Sequence, residues 1–277
     1  MSSNTADHWP DKYRCAALFT FDLDATESWR TRAERNPDWN TPPIQTRGRY
    51  GPEVAVPRII EMLDRYDVSC TFFIPGKVAE EYPEAVHTIH DAGHEIGLHG
   101  YTHSNPARLP PEEEEAELVR AIEVFEDMVG ERPVGYRSPA GDFSNHSFDI
   151  LARNGVIYDS SLKDDDIPYA LDDEGRIVEL PDTWYLDDFP YYGYSMYPQI
   201  AYQSGIEPNH AVFDTYRREF DGLYKRGRMF NLIMHPQLVR SGRLNLLEEL
   251  VQHAVSTGDT WVTTVGDVAQ YWRETHL

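Results

Sequence analysis

Short apolar runs alternate with stretches of helical periodicity along most of the chain. AALFTFDLD near the start is followed by the amphipathic VAVPRIIEMLDRY, then SCTFFIP, a helix around Glu80 to Asp91, and EIGLHG. Apolar runs this short, bounded by turn residues, predict buried strands, and the first hundred residues therefore spell a βαβαβ unit. PPEEEEAELVRAIEVFEDMVG continues with a helix whose proline and acidic first turn suit an N-terminus and whose closing glycine suits the position after its end. PVGYRSP, a helix near Phe148 to Asn154, and VIYDSS follow. After a long irregular stretch come a helix around Ala211 to Tyr224, MFNLIMHP, a helix near Leu246 to Ser256, and TWVTTVGDV. Such alternation, repeated seven or eight times, predicts an α/β fold, a distorted (β/α)7–8 barrel with a parallel sheet, occupying residues 1–277 as one domain.

Composition narrows the function classes. With 40% hydrophobic residues and no apolar run near the roughly 20 residues of a spanning helix, the chain is expected to be soluble, with no membrane partner. The polar opening MSSNTADHWPDKYR has neither a basic patch nor an apolar stretch after it, so a cytoplasmic location is expected. Cys15 and Cys70 lie inside strand-like runs and are read as buried structural thiols. A formal net charge of -22 opposes nucleic acid and anionic membrane. The acidic run Glu112 to Glu115 is read as a solvated helix start rather than a cation site.

Candidate chemistry sits at the C-terminal ends of the predicted strands, where barrel active sites are built. Asp22 and Asp24 stand two apart on the first strand, so both carboxylates emerge on one face, and like charges that close call for a cation. His99 and His103 follow EIGL, Arg137 follows PVGY, and His235 follows MFNLIM. Asp24 with the two histidines would supply one oxygen and two nitrogen ligands to a zinc ion and leave a position open for water. Asp22, oriented by Arg137, could then accept a proton from that water.

These motifs resemble the polysaccharide deacetylases of carbohydrate esterase family four: TFDLD, HGYTH after GHEIG, GYRSP, LPDTWYLDDFP and LIMHP, in the family's order over nearly the whole chain. The resemblance implies a metal-dependent enzyme that removes acetyl groups from N-acetylated sugars. It places Asp22 as catalytic base, Asp24, His99 and His103 as metal ligands, Arg137 as the arginine holding the base, and His235 as general acid. Asp182, Asp187 or Asp188 would keep His235 protonated. Zinc is the expected metal, with cobalt, manganese or nickel as alternatives. Two positions depart from the family pattern. Leu23 separates the usually adjacent aspartates, and Ala140 stands where an aromatic residue is usual, its backbone N–H still suited to an oxyanion. Both departures, with FDLDATESW and the RYG at Arg49 to Gly51, resemble a subgroup containing an intracellular-type peptidoglycan deacetylase and hydrolases of cyclic imides and allantoin.

The competing readings are a cyclic imide or cyclic amide hydrolase, a 2-His-1-carboxylate iron oxygenase, and a catalytically silent carbohydrate-binding barrel. His87, His90 and His94 are read as structural, lying away from the strand ends that carry the chemistry. Trp184, Tyr185, Phe189, Tyr191, Tyr192, Tyr194, Tyr197 and Tyr202 suit a saccharide face and a homo-oligomer interface equally. Trp184, Asp187, Asp188 and Ala140 are the expected substrate contacts. Trp29 and Trp39 either close the pocket or pack beneath their loop.

The lysine-poor acidic surface also resembles that of proteins adapted to high salt, where self-repulsion is screened. The expected outcome is a melting temperature that rises through a KCl series; equal stability with and without molar salt would count against it.

Overall fold

A computed structural model of the chain describes residues 8–33, 41–172, 174–195 and 205–277, so Trp39, Tyr197 and Tyr202 lie outside the described residues. Its strands are β1 (Cys15–Asp22), β2 (Thr71–Ile74), β3 (Glu95–Leu98), β4 (Gly135–Tyr136), β5 (Tyr158–Asp159), β6 (Tyr169–Ala170), β7 (Val178–Glu179), β8 (Met229–Met234) and β9 (Thr260–Val262). They form one sheet in the order β6-β7-β5-β4-β3-β2-β1-β8, with β9 also paired to β1. All the pairings are parallel except β6 with β7. The short antiparallel β6 and β7 fall in the stretch read from sequence as irregular, because two-residue strands carry no periodicity to detect.

The sheet curls into a distorted (β/α) barrel. Its curl is completed by side-chain bonds rather than by a full strand pair: Asn231 Nδ2 on β8 donates to Ser160 Oγ at 3.0 Å, Leu180 O at 3.2 Å and Pro181 O at 3.1 Å. An isolated bridge between Asp187 and Ile233 and the bond from Asp188 N–H to Ile233 O, 3.1 Å, continue that seam toward the mouth.

Alternation along β1 explains where the site forms. Ala17, Phe19, Phe21 and Leu23 point outward into the larger core against the helices, whereas Ala16 and Leu18 point into the barrel with Phe73, Tyr158, Val178 and Leu180. The inward series runs on through Thr20 and Asp22 to Asp24, so the interior changes from apolar to polar as it rises. Trp9 and the helix Val265–His276 join the inner cluster from below. That helix begins within the run TWVTTVGDV, whose strand ends at Val262; Thr264 caps it by accepting a bond from Asp267 N–H.

Two glycines set the floor. A Cβ at Gly97 would lie 2.5 Å from the Phe73 ring, and one at Gly135 would lie 1.9 Å from Tyr158 Cζ. Only bare backbone on β3 and β4 leaves room for those two buried rings. Cys15 and Cys70 are buried free thiols, and burial lifts Cys15 to about 12. The acidic run is less solvated than its composition suggests: Glu114 is buried and accepts bonds from Ser144 and Ser147. Among the described residues no helix is long and apolar enough to cross a membrane.

Gly135→Ala is expected to destabilise the chain by about 1–3 kcal/mol through overpacking against Tyr158. In urea unfolding, Gly135→Ala combined with Tyr158→Leu should cost less than the two changes summed; strict additivity would show that the two residues do not share this space.

Candidate active site

The polar top of the barrel opens into a cavity of about 470 Å³. Asp22, Asp24, His99, His103, Arg137, Ala140, Trp184, Asp187 and His235 all line it, as do Ser28 and Lys163. Asp188 does not. It is fully buried behind His235, where its Oδ1 accepts from His235 N–H at 3.0 Å and lies 2.7 Å from His235 Nδ1. The partner of His235 that sequence left open is therefore Asp188; Asp187 Oδ1 lies 3.7 Å away, and Asp182 pairs with Lys163 at 2.7 Å. Asp188 stands as support for the histidine rather than as a wall facing substrate.

Arg137 leaves β4 pointing inward and is almost wholly buried. Its Nη1 donates to Asp22 Oδ1 at 2.8 Å and to Thr20 Oγ1 at 2.7 Å; Nε donates to Ser160 O and Nη2 to Ser160 Oγ, both at 2.9 Å. The guanidinium lies over the Phe73 ring, 4.2 Å from its centroid. The Arg137 carbonyl is 2.7 Å from His99 Nδ1. Because a carbonyl only accepts, this bond places the proton on Nδ1 and turns the His99 Nε2 lone pair toward Asp24.

Asp24 Oδ1 lies 3.4 Å from His99 Nε2 and 3.6 Å from His103 Nε2, yet this buried oxygen has no hydrogen-bond partner. An orphaned carboxylate oxygen facing two imidazole nitrogens is costly without a cation, and an oxygen with two nitrogens is a zinc-type donor set. These atoms lie within 4.8 Å of one another. The residues therefore fit a divalent metal. Burial alone would push the Asp24 carboxyl up, but the neighbouring His103, His99 and His235 outweigh it and hold Asp24 below the ordinary carboxylate range. Burial also opposes charge on His235, and the bond and charge of Asp188, with Asp24 and Asp187, reverse that and lift it to about 10. Asp187 is pushed up to about 7, chiefly by burial.

Non-glycine residues at positive φ gather around this site. Among the described residues they are Ala25 (φ 48°), Asp67 (φ 53°), His103 (φ 58°) and Ala140 (φ 63°). Three of the four are at or beside cavity residues, as expected where backbone strain positions functional groups.

The cavity wall opposite β1 is held from behind by two carboxyl groups. Glu179 Oε1 accepts from Ser161 N–H at 3.0 Å and Leu162 N–H at 2.9 Å, and Asp159 Oδ1 accepts from Ser161 Oγ at 3.0 Å. Ser161 Oγ in turn accepts from Ser138 N–H at 2.9 Å, beside Ala140. On the segment so held, Lys163 reaches across the Trp184 ring, 4.5 Å from its centroid. Trp184 is 52% exposed, whereas Trp29 is fully buried and packs within the core. His94 is bound to Cys70, and His90 and His94 lie at the opposite end of β3 from His99.

Sequence reasoning missed Thr20, Ser28, Ser160 and Lys163. Thr20 carried a usable signal, being two residues before Asp22 on the same face; so did Ser28, four after Asp24. Lys163 carried none, since it follows a two-residue strand.

This is the layout of a barrel enzyme, with a buried carboxylate and histidine centre at the C-terminal ends of its strands. Residues 50–158 match the family model described as polysaccharide deacetylase. The chain is 30% identical over 273 residues to the peptidoglycan deacetylase of Helicobacter pylori, covering 87% of this chain and 91% of that one. It therefore belongs to the polysaccharide deacetylase family. A Mycobacterium smegmatis protein solved as a polysaccharide deacetylase candidate superposes with a TM-score of 0.90 at 36% identity, covering 97% of this chain and 93% of that one. The fold is shared as well with the Puue allantoinase, at a TM-score of 0.83, 24% identity, and coverage of 99% and 95%.

Asp159 and Glu179 stand opposite each other on the paired strands β5 and β7, and burial raises both, Asp159 from 3.8 to about 6 and Glu179 well above its ordinary value. Between pH 3.8 and about 6 the folded chain thus holds a proton that the unfolded chain has released. The stability is fully present below pH 3.8, where both states are protonated, and should fall as pH rises through that window. Asp159→Asn is expected to flatten the decline in urea unfolding from pH 4 to 7; an unchanged slope would show that Asp159 does not carry that proton.

Proposed function

We propose that the chain is a divalent-metal-dependent hydrolase of non-peptide C–N bonds, acting first on an N-acetylated sugar or polysaccharide. The observation that carries this is the buried, unbonded Oδ1 of Asp24 facing His99 and His103, with the Asp22–Arg137 pair beside it. Asp24, His99 and His103 would hold zinc, or else cobalt, manganese or nickel. When bound, the metal supplies an acidified water and polarises the amide carbonyl.

The chain's own residues account for the proton movements. Arg137 fixes Asp22 by Oδ1, and Asp22 Oδ2 lies 3.9 Å from His99 Nε2, next to the metal ligands. Asp22 is there to take a proton from the attacking water. His235, kept protonated by Asp188 and with Nε2 3.6 Å from Asp24 Oδ2, gives a proton to the departing nitrogen. Ala140 lines the cavity, and its backbone N–H would serve the oxyanion formed on attack. Addition of water and cleavage of the C–N bond yield a carboxylate and an amine, acetate and an amino sugar for the first substrate class. The exposed indole of Trp184 suits a sugar face.

Leu23 and Ala140 favour a second reading, a cyclic imide or related cyclic amide, which offers the same carbonyl to the same groups. An iron oxygenase would use the same ligand types, yet it has no use for the Asp22–Arg137 pair.

Asp22→Asn is expected to retain zinc and lose turnover by about 10²-fold or more, whereas His99→Ala should lose both. Turnover is read on N-acetylglucosamine oligomers against succinimide, hydantoin and allantoin, with and without zinc. Acetate release identifies the first substrate class and ring opening the second. Full activity in either variant would overturn the assignment, and iron-dependent oxygen uptake by the parent would replace hydrolysis altogether.

A further inference from the structure

Asp24 is held from behind by a chain of polar side chains that none of the steps above uses. Ser28 lies four residues beyond Asp24, and its Oγ donates to Asp24 Oδ2 at 3.1 Å. Gln237 Nε2 donates in turn to Ser28 Oγ at 3.2 Å. Gln237 belongs to the turn Pro236–Leu238 that follows His235 directly. The same short segment, next to the end of β1, therefore carries the proposed general acid and reaches through Ser28 to the carboxylate of the metal site.

The hydroxyl of Ser28 has one proton to give. With the Gln237 amide donating to it, that proton goes to Asp24 Oδ2, and the remaining oxygen, Oδ1, is left facing His99 and His103. Gln237 is 1% exposed, and its Oε1 is buried with no hydrogen-bond partner. A buried acceptor left unbonded opposes folding, and an apolar residue of the same length would avoid that cost. A glutamine used for packing alone is thus a poor choice at this position.

The backbone around Gln237 is shaped to hold it. Gly51, the last residue of the RYG run, lies against it so closely that a Cβ there would be 3.0 Å from Gln237 N. Tyr50, one residue earlier, receives the Arg240 guanidinium 3.4 Å from its ring centroid. The RYG segment therefore presses the turn onto Ser28, which gives that sequence run a physical role.

We infer that Gln237 and Ser28 are positioning residues for the metal carboxylate: they fix which oxygen of Asp24 is presented as ligand and tie its orientation to the turn bearing His235. This inference rests on the metal-dependent reading, and its test reads metal affinity rather than turnover.

The experiment measures zinc affinity of the metal-stripped full chain by competition with a chromophoric chelator, alongside the melting temperature of each metal-free variant. Ser28→Ala is expected to weaken zinc binding by about 10- to 100-fold, the range for groups that orient a ligand. Gln237→Met, which keeps the packing, should weaken it in the same direction and by less. Gln237→Glu should weaken it more than Gln237→Met, because a carboxylate there captures the Ser28 proton that Asp24 otherwise receives. Ser28→Ala combined with Gln237→Met should bind zinc no more weakly than Ser28→Ala alone. Parent-like affinity in Ser28→Ala, equal effects of Met and Glu at Gln237, or losses that add would each overturn the inference. His99→Ala binding zinc as tightly as the parent would instead defeat the metal reading itself, and the positioning role with it.

Discussion

The buried guanidinium of Arg137 is the interaction on which the rest of the mouth depends. Its bonds reach Thr20 and Asp22 on β1 and both the backbone and side chain of Ser160 just beyond β5, while its own carbonyl on the β4 side orients His99. A charge this deep is tolerable only if its donors are satisfied, and here the four N–H bonds that satisfy it are also what holds three strands at fixed spacing. Lysine has neither the planar fork nor the number of directed donors to hold the same partners at once. The ring of Phe73 beneath it, admitted by Gly97, sets the height at which those bonds form.

Around that centre the acidic groups are divided among separate cations. Asp22 has Arg137, Asp182 has Lys163, and Asp188 has His235. Asp24 differs, since among the described residues its positive neighbours are imidazoles, whose charge depends on bound protons. Displacing those protons in favour of a divalent ion keeps the local charge balanced, and protons and metal therefore compete for the same place. Asp187, 3.7 Å from the His235 ring nitrogen that Asp188 holds more closely, is lifted toward neutrality by its buried position. The chain's strong overall acidity is thus tempered at the mouth, where Asp22, Asp182 and Asp188 are each matched by a cation at contact distance.

The features legible in the sequence were those with a period or an anchored position. Asp22 and Asp24 could be placed on one face because strand alternation is strict, and the histidines and Arg137 because they end apolar runs. Barrel architecture followed from repetition of those runs. Pairings that depend on approach in three dimensions were not legible: Asp188 rather than Asp187 or Asp182 behind His235, Lys163 on Asp182, and the closing of the barrel through Asn231. Nor was the two-residue β6 and β7 pair, since no periodicity survives at that length. The helix Val265–His276 was hidden for another reason, because its start overlaps an apolar run that its first residues share with β9.

The neighbours of β1 also bear on how the molecule is made. One edge of β1 is shared along its length, Cys15 to Ala17 pairing with β9 and Thr20 to Asp22 with β2; the other edge, from Ala16 to Phe21, belongs to β8. Two of these three partners come from the far end of the chain. A nascent chain on the ribosome therefore carries its longest strand with an open edge until β8 and β9 emerge, and only then can the barrel interior exclude water. Assembly of the catalytic mouth is in that sense the last event of synthesis, and the exposed β1 edge is the segment a chaperone would have to shield in the interval.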